Sequence, residues 1–343
     1  MEIGIIGLPG SGKSALFEIM TGIRGQDKHG DAFAIGQAAV PDERFDRLVE
    51  IFQPAKVSPA RLPFIDVNAA GEKAWQIIRQ NLSAVDGFVH VVDGFTSHDI
   101  REVVKNYSRL ADDLILADLQ VIENRLEKTA RVPVKSLNST EIIQRDLLPL
   151  LKEHLEGGMP LRKMALTPEQ RAALRSYSFW TIRPELVVVN IGEDHPFSAA
   201  ECQTAGISDV PIVSICCQVE QEVACLPPEE RGEFLAALGI LEPAFSRIIR
   251  SAFELLDSMV YFTVGEDEVK VWVIPVHTKA PQAAAAIHKD FERGFIKAEV
   301  VSYEDFMAFG GNFTGVKSAG KLRLEGKEYV VQDGDIISFR FHV

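Results

Sequence analysis

Positive charge is scarce in this 343-residue chain: 36 lysines and arginines stand against 49 aspartates and glutamates, a formal net charge of −13. That balance excludes general adhesion to nucleic acid or to an anionic membrane, so no DNA partner is expected and any RNA contact must come from a local basic surface. Cysteine is scarce too. The four present, Cys202, Cys216, Cys217 and Cys225, lack the paired C-x-x-C spacing of a zinc site. Cys216 and Cys217 close an apolar run from Val210, where a small buried hydrophobe suffices, so they read as core rather than as metal or redox groups. No apolar run approaches the length of a membrane span, and nothing ahead of the first β-branched stretch could serve as a signal peptide, which predicts a cytoplasmic protein. Finally, from Gly22 to Val57 there is no serine and no threonine.

What is present is ordinary globular material, 46% hydrophobic and 25% charged, in a chain long enough for two or three domains. Its first fourteen residues are the most informative. The run Met1 to Ile6 opens directly into Gly7-Leu8-Pro9-Gly10-Ser11-Gly12-Lys13-Ser14, the G-x-x-x-x-G-K-[ST] pattern of a P-loop. Glycines let backbone N–H groups close around a phosphate, the lysine reaches the β- and γ-phosphates, and the serine hydroxyl ligates Mg²⁺. Ala15 to Met20 continues without a breaker and reads as a helix whose N-terminus faces the phosphates. Gly7, Pro9, Gly10, Ser11, Gly12, Lys13, Ser14 and Ala15 are therefore the expected phosphate-binding residues.

Other parts of a nucleotide site follow in order. Leu62 to Val67 is a short strand carrying Asp66, in the place of a Walker B aspartate, so Ser14 and Asp66 are the expected metal residues. The segment Gly22 to Gly36 stands where a first switch loop offers a hydroxyl to Mg²⁺, and none is available there. Asn68-Ala69-Ala70-Gly71 stands where GTPases show D-x-x-G, with Ala69 at the glycine position, so the second switch is altered. Phe88 to Asp93 and Pro184 to Asn190 are near-continuous apolar runs of the kind that strands buried on both faces require, and His90 within the first reads as a packed core residue rather than a ligand. Asn190-Ile191-Gly192-Glu193 falls at the N-K-x-D position. Glu193, one methylene longer than aspartate, meets guanine's edge badly and should relax selectivity between GTP and ATP. Ile212 to Cys216 is the next strand and brings Ser214, Ile215 and Cys216 near the base.

Between these strands the hydrophobic period changes to that of helices. Ile115, Leu119, Ile122 and Leu126 form one seam and Leu147, Leu148, Leu151 and Leu155 another, which predicts an antiparallel helical hairpin inserted in the α/β sheet. Arg125, Lys128, Arg131 and Lys135 make its tip locally basic, either a solvated turn or a contact for RNA or a partner. Thr167-Pro168-Glu169-Gln170 is a capping box that restarts a helix. From about Tyr261 the pattern becomes that of a small α+β domain: strands at Tyr261 to Val264 and Val269 to Ile274, a helix from Pro281 to Phe291, and a closing hairpin from Tyr329 to Val343.

Together with Val40-Pro41-Asp42, the run Ala280 to Ala283 with Asp290 to Glu299, and Gly326 to Asp335, these motifs make the whole chain resemble the YchF family of Obg-like ATPases, with a C-terminal TGS domain of β-grasp type. The resemblance implies a P-loop domain at 1–110 and 178–258, a helical hairpin at 111–177 and a TGS-like domain at 259–343. It also implies ATP or GTP as ligand, Mg²⁺, slow hydrolysis, and association with ribosomes. Lys13 and Ser14 take the phosphate and Mg²⁺ roles by position, Asp66 the Walker B role, and Asn190 with Glu193 the base-reading role. The departures are as specific. The family's P-loop has other residues where this chain has Gly10, Ser11 and Ala15, its second switch is cut short here, and the place of its catalytic histidine is held by Glu102, with His98 four residues earlier as the alternative catalytic group. A nucleotide-binding adaptor with little or no hydrolysis is the competing expectation.

Overall fold

The computed structural model describes residues 1–23, 33–67, 74–130, 132–194, 197–237 and 242–342. The chain folds as two compact units, Met1–Gly36 with Pro63–Ile248, and Gln37–Leu62 with Ile249–Val343. The strands in chain order are β1 (Ile3–Ile6), β2 (Phe33–Ala39), β3 (Lys56–Ser58), β4 (Arg61–Val67), β5 (Gly87–Gly94), β6 (Glu185–Ile191), β7 (Ile212–Ile215), β8 (Ser258–Thr263), β9 (Glu268–Pro275), β10 (Phe295–Ser302), β11 (Arg323–Glu325) and β12 (Asp335–Phe341).

One sheet has the order β2-β4-β1-β5-β6-β7. β1 lies parallel between β4 and β5, with Ile5 opposite both Asp66 and Val89, and β6 and β7 continue parallel beyond β5. Ile3 and Ile5, Val89 and Val91, and Leu186 to Val189 are all buried, as a parallel sheet covered on both faces requires. This is the doubly wound architecture that the apolar runs predict. Phe33 to Gly36, expected within a switch loop, instead begins the edge strand β2; its alanines and glycine carry little strand propensity, which hid it.

A single helix, Ile100–Thr129, packs against β5 and continues into the hairpin. Asp99 caps its start by accepting from the Arg101 N–H at 2.9 Å. The return helix, Ser139–Glu156, opens on a capping box made by Asn138 and Glu141. Between them Ile115 and Ile122 bury against Leu147, Leu148, Leu151 and Leu155, with Leu119 and Leu126 alongside, the two seams legible in the sequence. Polar bonds fix the hairpin's base. The buried Asp118 carboxylate accepts from the Trp180 N–H at 2.9 Å, the Thr181 N–H at 2.8 Å and the Thr181 hydroxyl at 2.7 Å. Burial pushes this carboxyl's pKa up; the three bonds oppose the shift. Arg183 donates to the carbonyls of Leu82 and Ser83 at 2.8 and 2.5 Å, and its guanidinium lies over the rings of Phe88 and Trp180.

The second sheet has the order β11-β10-β12-β8-β9-β3 and is mixed, antiparallel from β11 through β12 and between β8 and β9, parallel where β12 meets β8 and β3 meets β9. The helix Ala280–Ile287 packs on it through Ala280, Ala283 and Ala284, whose small side chains allow close approach, and the Tyr261 hydroxyl donates to the Ala283 carbonyl at 2.9 Å. The expected helix from Pro281 to Phe291 is two, broken at His288, whose backbone is extended. The closing hairpin is also corrected. Asp333 and Gly334 bond to Val260 of β8, so the chain after Val331 does not fold back on itself. β12 instead pairs with β10, and Val330 makes an isolated bridge to Lys279.

Asp118→Ala strands three buried donors and should cost about 2–4 kcal/mol in urea unfolding. Asp118→Asn should recover little, because its amide turns an N–H toward one of the two sets of donors that the carboxylate serves. A loss well under 1 kcal/mol in Asp118→Ala would show that the hairpin's base is held by its apolar seam alone.

Candidate functional site

β1 delivers the chain into the loop Gly7–Gly12, which the Ser11 N–H closes by donating to the Leu8 carbonyl at 3.2 Å. Two positions admit only glycine. At Gly7 (φ +157°) a Cβ would lie 2.4 Å from the Val91 carbonyl oxygen, and at Gly12 (φ +97°) it would lie 2.3 Å from Asn190 Nδ2. Pro9 and Gly10 form the exposed tip, while Ser11 is buried. Its Oγ has no hydrogen-bond partner among the described residues. Gly12 is the N-cap of the helix Lys13–Thr21, whose first-turn N–H groups, Ala15 included, are those a phosphate would use.

Lys13 Nζ donates to the carbonyls of Gly7 and Leu8 at 2.9 and 2.8 Å. Burial pulls the ammonium's pKa below the ordinary lysine value, and Asp66 opposes that shift. At the end of β4, Asp66 is 1% exposed and accepts from the Ser14 hydroxyl at 3.0 Å. Two oxygen donors from different elements, one a buried carboxylate, suit a hard divalent cation. The structure thus brings together Gly7, Gly10, Ser11, Gly12, Lys13, Ser14 and Asp66.

On the other side of the loop, near the end of β6, stands Asn190, which is 6% exposed and engaged at both ends of its amide. Nδ2 donates to the Ser11 carbonyl at 3.2 Å, and Oδ1 accepts from the Cys217 N–H at 3.2 Å. This brace was not foreseen. Its one sequence signal is Gly12, a position whose side chain would fill the space Asn190 takes. Glu193 is exposed. Ile191 ends β6, Ser214 Oγ donates to the Phe197 carbonyl at 2.6 Å, Ile215 is buried, and Cys216 caps the helix Cys217–Cys225. All four cysteines are unpaired thiols.

The two expected catalytic residues lie in different settings. Glu102 is exposed in the first turn of the helix Ile100–Thr129, where a carboxylate complements the helix dipole, and pairs with Lys105 at 3.4 Å. His98 lines a cavity with Phe197, Ala200 and Glu201 whose lining holds no P-loop residue. His90 is buried, with Nδ1 2.7 Å from Glu185 Oε1. Burial pushes Glu185 up, but His90 and Arg162 outweigh it and hold this carboxylate below its ordinary range. Much of the expected first switch, residues 24–32, and the altered second switch, Asn68 to Gly71, lie outside the described residues, as does Arg131.

Residues 259–342 match the family model described as "YchF-GTPase_C: Protein of unknown function (DUF933)". The whole chain aligns with the "Ribosome-binding ATPase YchF" of Haemophilus influenzae at 38% identity, covering 99% of that protein, and with that of Bacillus subtilis at 36%, covering 100% of it. The "Obg-like ATPase 1" of Oryza sativa subsp. japonica is 33% identical, with 100% of this chain and 92% of the rice protein covered. Among solved structures, that titled "Structure of the Schizosaccharomyces pombe YchF GTPase" superposes with a TM-score of 0.86 at 26% identity, over 99% of this chain and 97% of the other.

The brace gives a test that needs no ligand. Asn190→Ala leaves the Ser11 carbonyl and the Cys217 N–H without their partner and should destabilise the protein by about 2 kcal/mol. Thermal unfolding without added nucleotide reads this directly, and an unchanged midpoint would show that the loop holds its shape without Asn190.

Proposed function

The chain belongs to the YchF family, and from that premise we propose that it is a nucleotide-dependent switch protein, binding ATP or GTP over Lys13, hydrolysing it slowly with Mg²⁺, and acting in association with the ribosome. The observation that carries this reading is the joined set of Lys13 facing the loop carbonyls, Ser14 bonded to Asp66, and the loop itself braced by Asn190. Such a site is shaped before ligand arrives, so little binding energy is lost to ordering the loop. Glycine backbone, lysine and helix N-terminus each favour a polyphosphate. Ser14 and Asp66 would hold Mg²⁺, which when bound neutralises charge on the phosphoryl oxygens.

For the base, Asn190 spends one N–H and one lone pair on the backbone and keeps a second of each, so it shares selection with Glu193, Cys216 and the backbone around them. Glu193 is exposed and its carboxylate stands one methylene further out than aspartate's would, which supports acceptance of ATP at least as readily as GTP. The hairpin tip and the TGS-like surface are the proposed ribosome or RNA contacts. Arg125, Lys128 and Lys135 are all exposed there, and Arg125 also lies over the Tyr177 ring at 5.1 Å, so the lysines are the charges without that ring contact.

A second reading, a nucleotide-binding adaptor without useful hydrolysis, is favoured by the setting of Glu102. It is paired with Lys105 and faces solvent, and its charge would repel the phosphates it would have to serve. No serine or threonine between Gly22 and Val57 offers the missing hydroxyl either. One set of measurements separates the readings. Calorimetry should find triphosphate binding in the wild type and none in Lys13→Ala, with the fold retained. Phosphate release should then be slow but dependent on Mg²⁺ and on Lys13. Binding without any release supports the adaptor, and unchanged affinity in Lys13→Ala would place the nucleotide elsewhere.

A further inference from the structure

Residues Gln37–Leu62 group with Ile249–Val343, although their two ends, Gln37–Ala39 in β2 and Arg61–Leu62 in β4, belong to strands of the first sheet. Within that unit they are held from Asp42 to Ser58. Asp42 caps the helix Glu43–Phe52, and Arg44 donates to Asp42 and, through Nη1, to Asp333 Oδ2 at 2.7 Å. The other oxygen of Asp333 accepts from the Val260 N–H at 2.9 Å, which ties Arg44 to β8. At the helix's far end Phe52 stacks on Phe306, the rings 5.9 Å apart and 12° from parallel. The Ala55 and Lys56 N–H groups donate to the carbonyls of Glu266 and Asp267, and β3 then pairs with β9 from Lys56 opposite Glu268 to Ser58 opposite Lys270. Glu268 completes the attachment, accepting from Lys56 Nζ at 2.8 Å and Ser58 Oγ at 2.7 Å.

After only two residues, Pro59 and Ala60, this anchored stretch enters the strand that carries the site's carboxylate. β4 starts at Arg61, inside the stretch, and reaches Asp66 four residues beyond Leu62. An extended strand covers about 13 Å in four residues. It has no slack, because Phe64, Ile65 and Asp66 are in register with Ile3, Gly4 and Ile5 of β1, the strand that enters the P-loop. One end of β4 therefore belongs to the C-terminal unit, and its other end touches Ser14.

We propose that Gln37–Leu62 is a coupling element, through which occupancy of the phosphate site, felt at Asp66, is passed along β4 to the sheet of the C-terminal unit. The proposal rests on the nucleotide reading above. Linkage makes it reciprocal: a partner that binds the C-terminal unit and senses the change alters nucleotide affinity by the same factor.

Hydrogen–deuterium exchange on the full-length protein, with and without Mg²⁺ and a non-hydrolysable ATP analogue, tests this. In the wild type, exchange should change in peptides spanning 7–14 and also in those spanning 56–62, 258–263 and 268–275, by about fivefold or more at the slowest amides. In Arg44→Ala, and separately in the milder Asp333→Asn, the change at 7–14 should persist while that at 258–275 falls by at least about half. A response at 7–14 with none at 258–275 in the wild type overturns the coupling and leaves the nucleotide reading standing. So does a full remote response in both variants. No response anywhere, 7–14 included, overturns the nucleotide reading and the coupling with it.

Discussion

The side-chain amide of Asn190 joins the two parts of the sheet on which a nucleotide site depends. Through the Ser11 carbonyl it holds the loop that follows β1, and through the Cys217 N–H it holds the turn that follows β7. Neither bond is individually strong, each worth about 1 kcal/mol net, but both are buried, and a buried backbone group that loses its partner costs more than the bond returned. Gly12 follows from the same constraint, since its missing Cβ is where Nδ2 sits. The parallel strands carry this geometry outward. With β1 between β4 and β5, the loop, Asp66 and Val91 meet at one end of the sheet, where ligands bind in open α/β folds.

What was legible in the sequence was whatever local chemistry imposes on its own. The P-loop glycines announce a backbone that no other residue can adopt, the apolar runs of β5 and β6 announce burial on both faces, and the leucine and isoleucine seams at spacings of three and four announce the hairpin. The capping box at Thr167 marked a helix start because it satisfies orphan N–H groups within a few residues. The illegible part is settled by partners far along the chain. β2 and β3 are short or poor in strand-forming residues and exist because β4 and β9 offer them edges. Asp333-Gly334 predicts a hairpin turn because Asp-Gly usually closes one, but Val260, 73 residues from Asp333, exchanges hydrogen bonds with this turn. The motif at Asn190 suggests base reading, and the structure adds a bracing role beside it. Its bonds to Ser11 and Cys217 depend on three segments meeting, which no periodicity reveals.

Binding and hydrolysis make different demands, and this chain meets them unequally. Binding needs a preformed cradle and a cation, which Gly7 to Ser14 provide within one loop and one helix turn. Hydrolysis needs water aligned on the γ-phosphate and a group to stabilise the charge that develops. The two candidates from the sequence are dispersed, Glu102 to a solvent-facing pair with Lys105 and His98 to the cavity beside Phe197. The contrast agrees with the proposed reading, in which Glu102 stands where the family resemblance places a catalytic histidine. A switch needs two states with different affinities more than it needs speed, and slow turnover lengthens the life of the bound state.

In the proposed function a nucleoside triphosphate binds with its phosphates in the loop Gly7–Ser14 beneath the brace of Asn190. A crystal structure of the full-length protein grown with Mg²⁺ and a non-hydrolysable ATP analogue tests it most directly. Phosphate density should lie within hydrogen-bond reach of Lys13 Nζ, with a metal ion beside Ser14 and Asp66 and the Asn190 bonds intact. An ordered nucleotide whose phosphates lie away from residues 7–14 would contradict it.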